Sequence, residues 1–168
     1  MKESYKQQMF MLARSTYVLP LLNAALFGLN VLRNGRENQQ FVREYPDFCV
    51  PPKNLAFDAY HSVNFAHYYR TGNEHARFVA SLINDYSGVQ EMRVYEWGCG
   101  PARLMRHLAK YLPDKKISLY GTDVNPKSVR WCQQHFPNMT FARNSSLPPV
   151  SFGDRFFDVI YAISVFTH

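Results

Sequence analysis

The chain has 168 residues, of which 46% are hydrophobic and 15% aromatic, enough for one ordinary domain and unlike an intrinsically disordered chain. The net charge is +6, and residues 101–168 carry nine Lys/Arg against four Asp/Glu. No aromatic residues interleave with those cations to make a stacking surface, so a nucleic-acid partner is not expected. Arg103, Arg106 and Lys110 read instead as the solvated face of one helix. Cys49, Cys99 and Cys132 are scattered and lack metal-ligand spacing, which suits reduced thiols in a cytoplasmic protein.

Residues 1–45 read as helical. The most apolar run, Tyr17 to Leu32, is interrupted by Pro20, Asn23, Gly28 and Asn30, and a membrane span needs about 20 apolar residues. Asn30-Val31-Leu32-Arg33 makes a poor signal-peptide cleavage site. Leu22, Ala25, Leu26, Leu29 and Leu32 form one stripe, with Asn23, Asn30 and Asn34 on another. The pattern predicts an amphipathic helix packed on the domain or on an oligomer partner, with membrane-surface contact as the alternative. Asn34-Gly35 breaks it, and Pro46, Pro51 and Pro52 make Tyr45 to Lys53 an irregular connector. Phe57, Tyr60, His61, Phe65, His67, Tyr68 and Tyr69 then form an aromatic stretch, either a substrate wall or core beneath a helix. His61 and His67 do not share a helix face as two metal ligands would, and no metal is expected. Thr71 or Asn73 is a candidate cap for a helix carrying Ala76, Val79, Ala80 and Ile83, ending near Tyr86-Ser87-Gly88.

Val94 to Arg103 reads as an apolar strand ending in Glu96, a turn with Gly98 and Gly100, and the start of a helix with Leu104, Met105, Leu108, Ala109 and Leu112 at helical spacing. Such a turn lets a ligand approach the backbone, and the next helix offers its free N–H groups to the same place. The dinucleotide fingerprint would put its third glycine at Arg103, which disfavours a nicotinamide-dependent oxidoreductase. The spacing fits acid-x-Gly-x-Gly-x-small better, with Glu96, Gly98, Gly100 and Ala102. Ile117 to Asp123 is a second strand ending in an acid, able to accept from both hydroxyls of a ribose. Asn125-Pro126 supplies the cap and first turn of a helix from Lys127 to His135. A short strand, Met139 to Ala142, leads into Arg143-Asn144-Ser145-Ser146-Leu147-Pro148-Pro149, where Asn144 or Ser145 would meet an adenine ring. The apolar run Phe157 to Phe166 suits a strand buried on both faces of a parallel sheet.

The first of these patterns resembles motif one of class I S-adenosylmethionine-dependent methyltransferases. The order Glu96-x-Gly98-Cys99-Gly100, Gly121-Thr122-Asp123, Asn144 with Pro148-Pro149, and Phe157-Asp158-Val159-Ile160-Tyr161 is similar to bacterial members often encoded near sugar- and polysaccharide-modifying enzymes. Pro51-Pro52, Leu55 and Gly72 are similar to the lead-in of that group. The resemblance implies an α/β fold: a Rossmann-like doubly wound parallel sheet, first four strands only, with a helical N-terminal extension. Residues 1–72 would form the extension and residues 73–168 the partial S-adenosyl-L-methionine-binding domain.

The resemblance also implies that Glu96, Gly98, Cys99, Gly100 and Ala102 border the methionine and ribose of the cofactor. Asp123 with Val124 would hold the ribose, Asn144 and Ser145 the adenine, and Ser164 would be a further cofactor-binding residue. His168 stands where a base or substrate contact could lie. The implied reaction is in-line transfer of a methyl group to a small-molecule or sugar-linked acceptor. A non-catalytic cofactor-binding or assembly module is the alternative. The family places three further strands after the run ending near Phe166. A truncated product, a fragment, or a protomer whose partner covers this edge is therefore expected. A nucleic-acid methyltransferase would carry Asn/Asp-Pro-Pro-aromatic after the fourth strand, and this chain does not.

Overall fold

The computed structural model describes residues 18–145, 150–163 and 165. Four helices come first: α1 (Val18–Arg33), α2 (Gly35–Glu44), α3 (Lys53–Tyr60) and α4 (Phe65–Tyr86). Then follow β1 (Glu91–Trp97), a single helical turn α5 (Met105–Leu108) with a 3-10 turn (Ala109–Tyr111), β2 (Lys116–Asp123), α6 (Pro126–His135), β3 (Thr140–Arg143) and β4 (Val159–Ala162). All pairings are parallel and the strand order is β3-β2-β1-β4. Trp97 lies beside Thr122 on one side and Ala162 on the other, so the chain reverses its winding at the carboxyl end of β1. That reversal point is where open α/β sheets bind ligands.

The core lies where α4 and α5 cover β1 and β2. Ala76, Val79, Ala80 and Ile83 of α4 meet Met92, Val94, Met105 and Leu108, all buried. Over the other face, Phe152, Phe156 and Phe157 fold onto Tyr95 and Tyr120, with Tyr95 stacked on Phe157 at 4.6 Å between ring centres. Phe157, expected to open a long fourth strand, is spent on this cluster. β4 is accordingly four residues long, and Ile160 is 65% exposed where burial on both faces was expected. It pairs only with β1 among the described residues, so one strand edge stands open there.

Two further expectations change. α4 is capped neither by Thr71 nor by Asn73 but by Asn64, whose side chain accepts from the His67 amide at 2.8 Å. Asn38, buried on α2, donates to the Val63 carbonyl and accepts from the Phe65 amide, which fixes the same entry. The boundary expected at 72/73 falls inside this 22-residue helix. α1 does not bury its leucine stripe on the domain either. Leu22, Leu26, Leu29 and Leu32 are exposed, and the helix is tethered from its other side, Phe27 meeting Phe57 edge to face at 5.4 Å. Among the described residues, no helix is long and apolar enough to cross a membrane.

Candidate cofactor cleft

A cleft of about 1010 Å³ opens between the carboxyl ends of the strands and the α3–α4 corner. Its floor is the turn after β1. The amides of Gly98 and Cys99 both donate to the Thr122 carbonyl, at 2.8 and 2.9 Å, tying the turn to β2. Gly98 and Gly100 have φ of +72° and +50°, in the left-handed region that favours glycine. A Cβ on Gly98 would stand 2.5 Å from Val165 Cγ2, so that position is closed to any side chain. Ala102 also has positive φ, +54°, despite its Cβ. This residue keeps the turn from running straight into a helix, so α5 begins only at Met105 and is one turn long. The expected long helix with its free N–H groups is absent at this place.

Asp123 ends β2. One of its carboxylate oxygens accepts from the Gly100 amide and the other from the Asn125 amide, each at 2.8 Å. It thus braces the glycine turn while facing the cleft. Asn125 caps α6 by accepting from the Lys127 amide, as the sequence predicts. Glu96 is buried, and burial pushes its carboxyl up to about 8 despite a hydrogen bond from the Tyr161 hydroxyl at 3.3 Å and the nearby charge of Arg103. At neutral pH this acid holds its proton.

The structure brings Glu96, Gly98, Gly100, Asp123, Val124, Asn144 and Ser145 to the cleft. Cys99 and Ala102 have their side chains in the hydrophobic core, where they contribute backbone shape to the turn. Ser164 and His168 lie outside the described residues. Asn144 Oδ1 is buried with no hydrogen-bond partner, although the side-chain nitrogen donates to the Ser145 carbonyl.

Of the opposite wall, Tyr60, His61, His67 and Tyr68 come from the aromatic stretch read as a possible substrate wall; sequence reasoning missed Thr71 and His75 of α4 and, beside them, Arg103. The Arg103 guanidinium lies 4.4 Å from the Tyr60 ring centre and donates to Thr71 Oγ1 at 2.7 Å and to His75 Nδ1 at 3.2 Å. Thr71 and His75 stand one helical turn apart, a spacing that could have flagged them. Arg103 and Arg106 are both half-buried, so only Lys110 belongs to the expected solvated face. Arg106 points away from the cleft. It donates to the carbonyls of Cys49, Ala102 and Pro101, and its guanidinium lies 4.4 Å from the Phe136 ring centre and 4.9 Å from that of Phe48.

Residues 94–168 match a family model described as a methyltransferase domain. Among solved structures, the chain is similar to a Methanococcus maripaludis protein classed with the S-adenosyl-L-methionine-dependent methyltransferases (15% identity, TM-score 0.49, 62% of this chain and 49% of that one). It is also similar to a TehB-like SAM-dependent methyltransferase of Corynebacterium glutamicum (25% identity, TM-score 0.42, 61% and 54%). A third is CalS10, an amino pentose methyltransferase of Micromonospora echinaspora (16% identity, TM-score 0.44, 55% and 36%). The chain spans about half or less of the length of these proteins. The methyltransferase-domain match over residues 94–168 thus falls on the glycine turn and on most of the parallel β3-β2-β1-β4 sheet that reverses beside it.

Proposed function

We propose that this chain binds S-adenosyl-L-methionine in the cleft at the ends of β1 and β2 and serves methyl transfer to a small-molecule or sugar-linked acceptor. The observation that carries this reading is a pair of cleft-lining residues, each with a buried polar atom that lacks a partner. Asn144 Oδ1, an acceptor following β3, and Arg103 Nε, a donor following β1, are both buried without partners. β2 and Asp123 lie between them. An adenosyl amino acid carries an amino-group donor on its base, a ribose diol in the middle and a carboxylate at its far end. The polarity of the cleft runs in the same order.

When bound, the cofactor supplies a methyl group on a sulfonium, whose displacement needs no proton for the leaving group. The protein's work is then to orient. Asp123 accepts from ribose hydroxyls while holding the Gly100 amide, and the neutral Glu96 adds no full negative charge beneath the turn. Tyr60, His61, His67 and Tyr68 form the wall nearest the α3–α4 corner and are the surface offered to an acceptor. In this reading residues 1–72 complete the cleft that residues 73–168 begin.

Calorimetric titration of the chain with S-adenosylhomocysteine and with NAD tests the proposal. Binding of the first and not the second is expected. A preference for NAD, or no binding of either, overturns it. Binding without methyl transfer to any sugar or small-molecule acceptor would favour the non-catalytic module.

A further inference from the structure

α1 carries apolar surface that nothing among the described residues covers. Its foot is held: Phe27 meets Phe57 of α3, and Asn34, just past the helix, accepts from the Asn64 side chain at 2.9 Å. Beyond the foot, every residue from Pro20 to Leu26 is exposed, so this half of the helix is bare on all sides, with Asn23 its one polar side chain. Leu21, Leu22, Leu26, Leu29 and Leu32 are between 44% and 81% exposed. At helical spacing these leucines share one side, opposite the half-buried Phe27 and Val31. A helix apolar on every side belongs in a protein core or in lipid.

Two observations choose the occupant. The first is shape. A second copy of the chain would cover one face of α1, whereas lipid surrounds whatever enters it. The second is charge. Between Glu3 and Glu37 the sequence holds four cations, Lys6, Arg14, Arg33 and Arg36, and no acid. Arg33 follows Leu22, Leu26 and Leu29 on the same face, at the end of the stripe, and Arg36 is exposed one turn on. Neither makes an ion pair among the described residues, and Glu37, the next acid in the chain, accepts from the Asn64 side chain at 2.6 Å. Two copies joined through the stripe would bring two such sets of cations together with no carboxylate between them. An anionic lipid surface would meet them with phosphates. The described helix has 16 residues and is about 24 Å long, against a hydrocarbon core of about 30 Å, so it suits lying in the interface rather than crossing it.

We propose that α1 seats this protein on the surface of an anionic membrane. Its leucines enter the boundary between headgroups and acyl chains, and Arg33 and Arg36 meet lipid phosphates. α3 grips α1 through Phe57 and reaches the cleft wall one turn later with Tyr60, so the seated protein carries its cleft one helix away from the lipid.

The test is flotation of the full chain with two kinds of vesicle, phosphatidylcholine alone and phosphatidylcholine with about a quarter phosphatidylserine, alongside sedimentation velocity without lipid. The parent should float with the anionic vesicles and bind the neutral ones about ten-fold more weakly or worse. Leu26→Glu with Leu29→Glu should abolish flotation. Both side chains are exposed, so circular dichroism and the urea midpoint should not change. Arg33→Gln and Arg36→Gln should each weaken anionic binding about five-fold. Phe78→Glu, which removes a 61% exposed ring from α4, should leave flotation as it was. A parent that floats with neither vesicle, or with both alike, overturns the proposal. Flotation that survives the leucine pair overturns it, as does flotation lost equally with Phe78→Glu, the mark of general stickiness. A dimer that the leucine pair splits, with no vesicle binding, would show that a second copy covers the stripe and would overturn it as well.

Discussion

Arg103 and Arg106 sit three residues apart on either side of the start of α5, and the protein treats them in opposite ways. Arg106 is fully engaged: three backbone carbonyls take its N–H groups, and the rings of Phe48, Tyr68, Trp131 and Phe136 surround it. Arg103 is equally well held but has a donor to spare, and it faces a cleft. A cation satisfied by carbonyls and aromatic faces is a fastener, here tying the connector at Cys49 to the glycine turn. A cation gripped yet left incomplete is a receptor. The difference is visible only in the inventory of hydrogen bonds, since burial, residue type and neighbourhood are nearly the same.

Variants can break this comparison or sharpen it. The largest effect belongs to the turn that both arginines flank. Gly98→Val must place its Cβ against Val165 in a left-handed conformation and should abolish S-adenosylhomocysteine binding, with the circular dichroism of the sheet largely kept. Retained binding would mean that the turn is not the ligand's floor. Arg106→Met comes next, with an expected loss of about 3 kcal/mol in urea unfolding as charge-assisted hydrogen bonds disappear from partly buried carbonyls. Arg103→Gln should cost much less stability, and equal losses would erase the distinction drawn above. Asp123→Ala should weaken S-adenosylhomocysteine by about 1.5–3 kcal/mol, because a ribose acceptor and the brace on Gly100 go together. An unchanged Kd would remove the ribose role.

The smallest effect is a slope with pH. Burial raises Glu96 from 4.5 to about 8, so between those values the folded chain holds a proton that the unfolded chain has lost. Stability therefore falls as pH rises across that window. His107, which burial pushes down to about 4, acts in the opposite sense between 4 and 6.5 and is spent above that. From pH 6.5 to 8 the Glu96 slope should stand out, on the order of 2 kcal/mol in total. Glu96→Gln should flatten it. A parent whose stability does not fall over this range would contradict the buried, neutral acid.

Much of the strand side of the cleft was legible because its signals are local. A glycine at positive φ, an acid closing a strand and Asn125-Pro126 opening a helix each need only a few neighbouring residues, and the structure places all three as read. The helical side was not. Arg103 is drawn inward by Thr71 and His75, and Arg106 by Cys49, partners 28 to 57 residues away that leave no periodic trace. The cap on α4 was missed for the same reason: Asn64 is fixed partly through Asn34, between α1 and α2, and Glu37 of α2. The fourth strand was overread because apolar residues spaced for a strand also suit an aromatic cluster, and tertiary packing chose the cluster for Phe157.

The link from Arg106 back to Cys49 also has a meaning in time. During synthesis the N-terminal part of a chain leaves the ribosome first. The rings of Phe41, Tyr45, Phe48 and Tyr69 can gather early, since all of them precede the strands in the chain and they touch one another at 4.8–5.8 Å between centres. The guanidinium and the His107 ring that close over Phe48 arrive only when residues 106 and 107 have been made. Until then a sticky aromatic face stands uncovered on the nascent chain, and the interval before α5 emerges is when a chaperone or a neighbouring chain would find it.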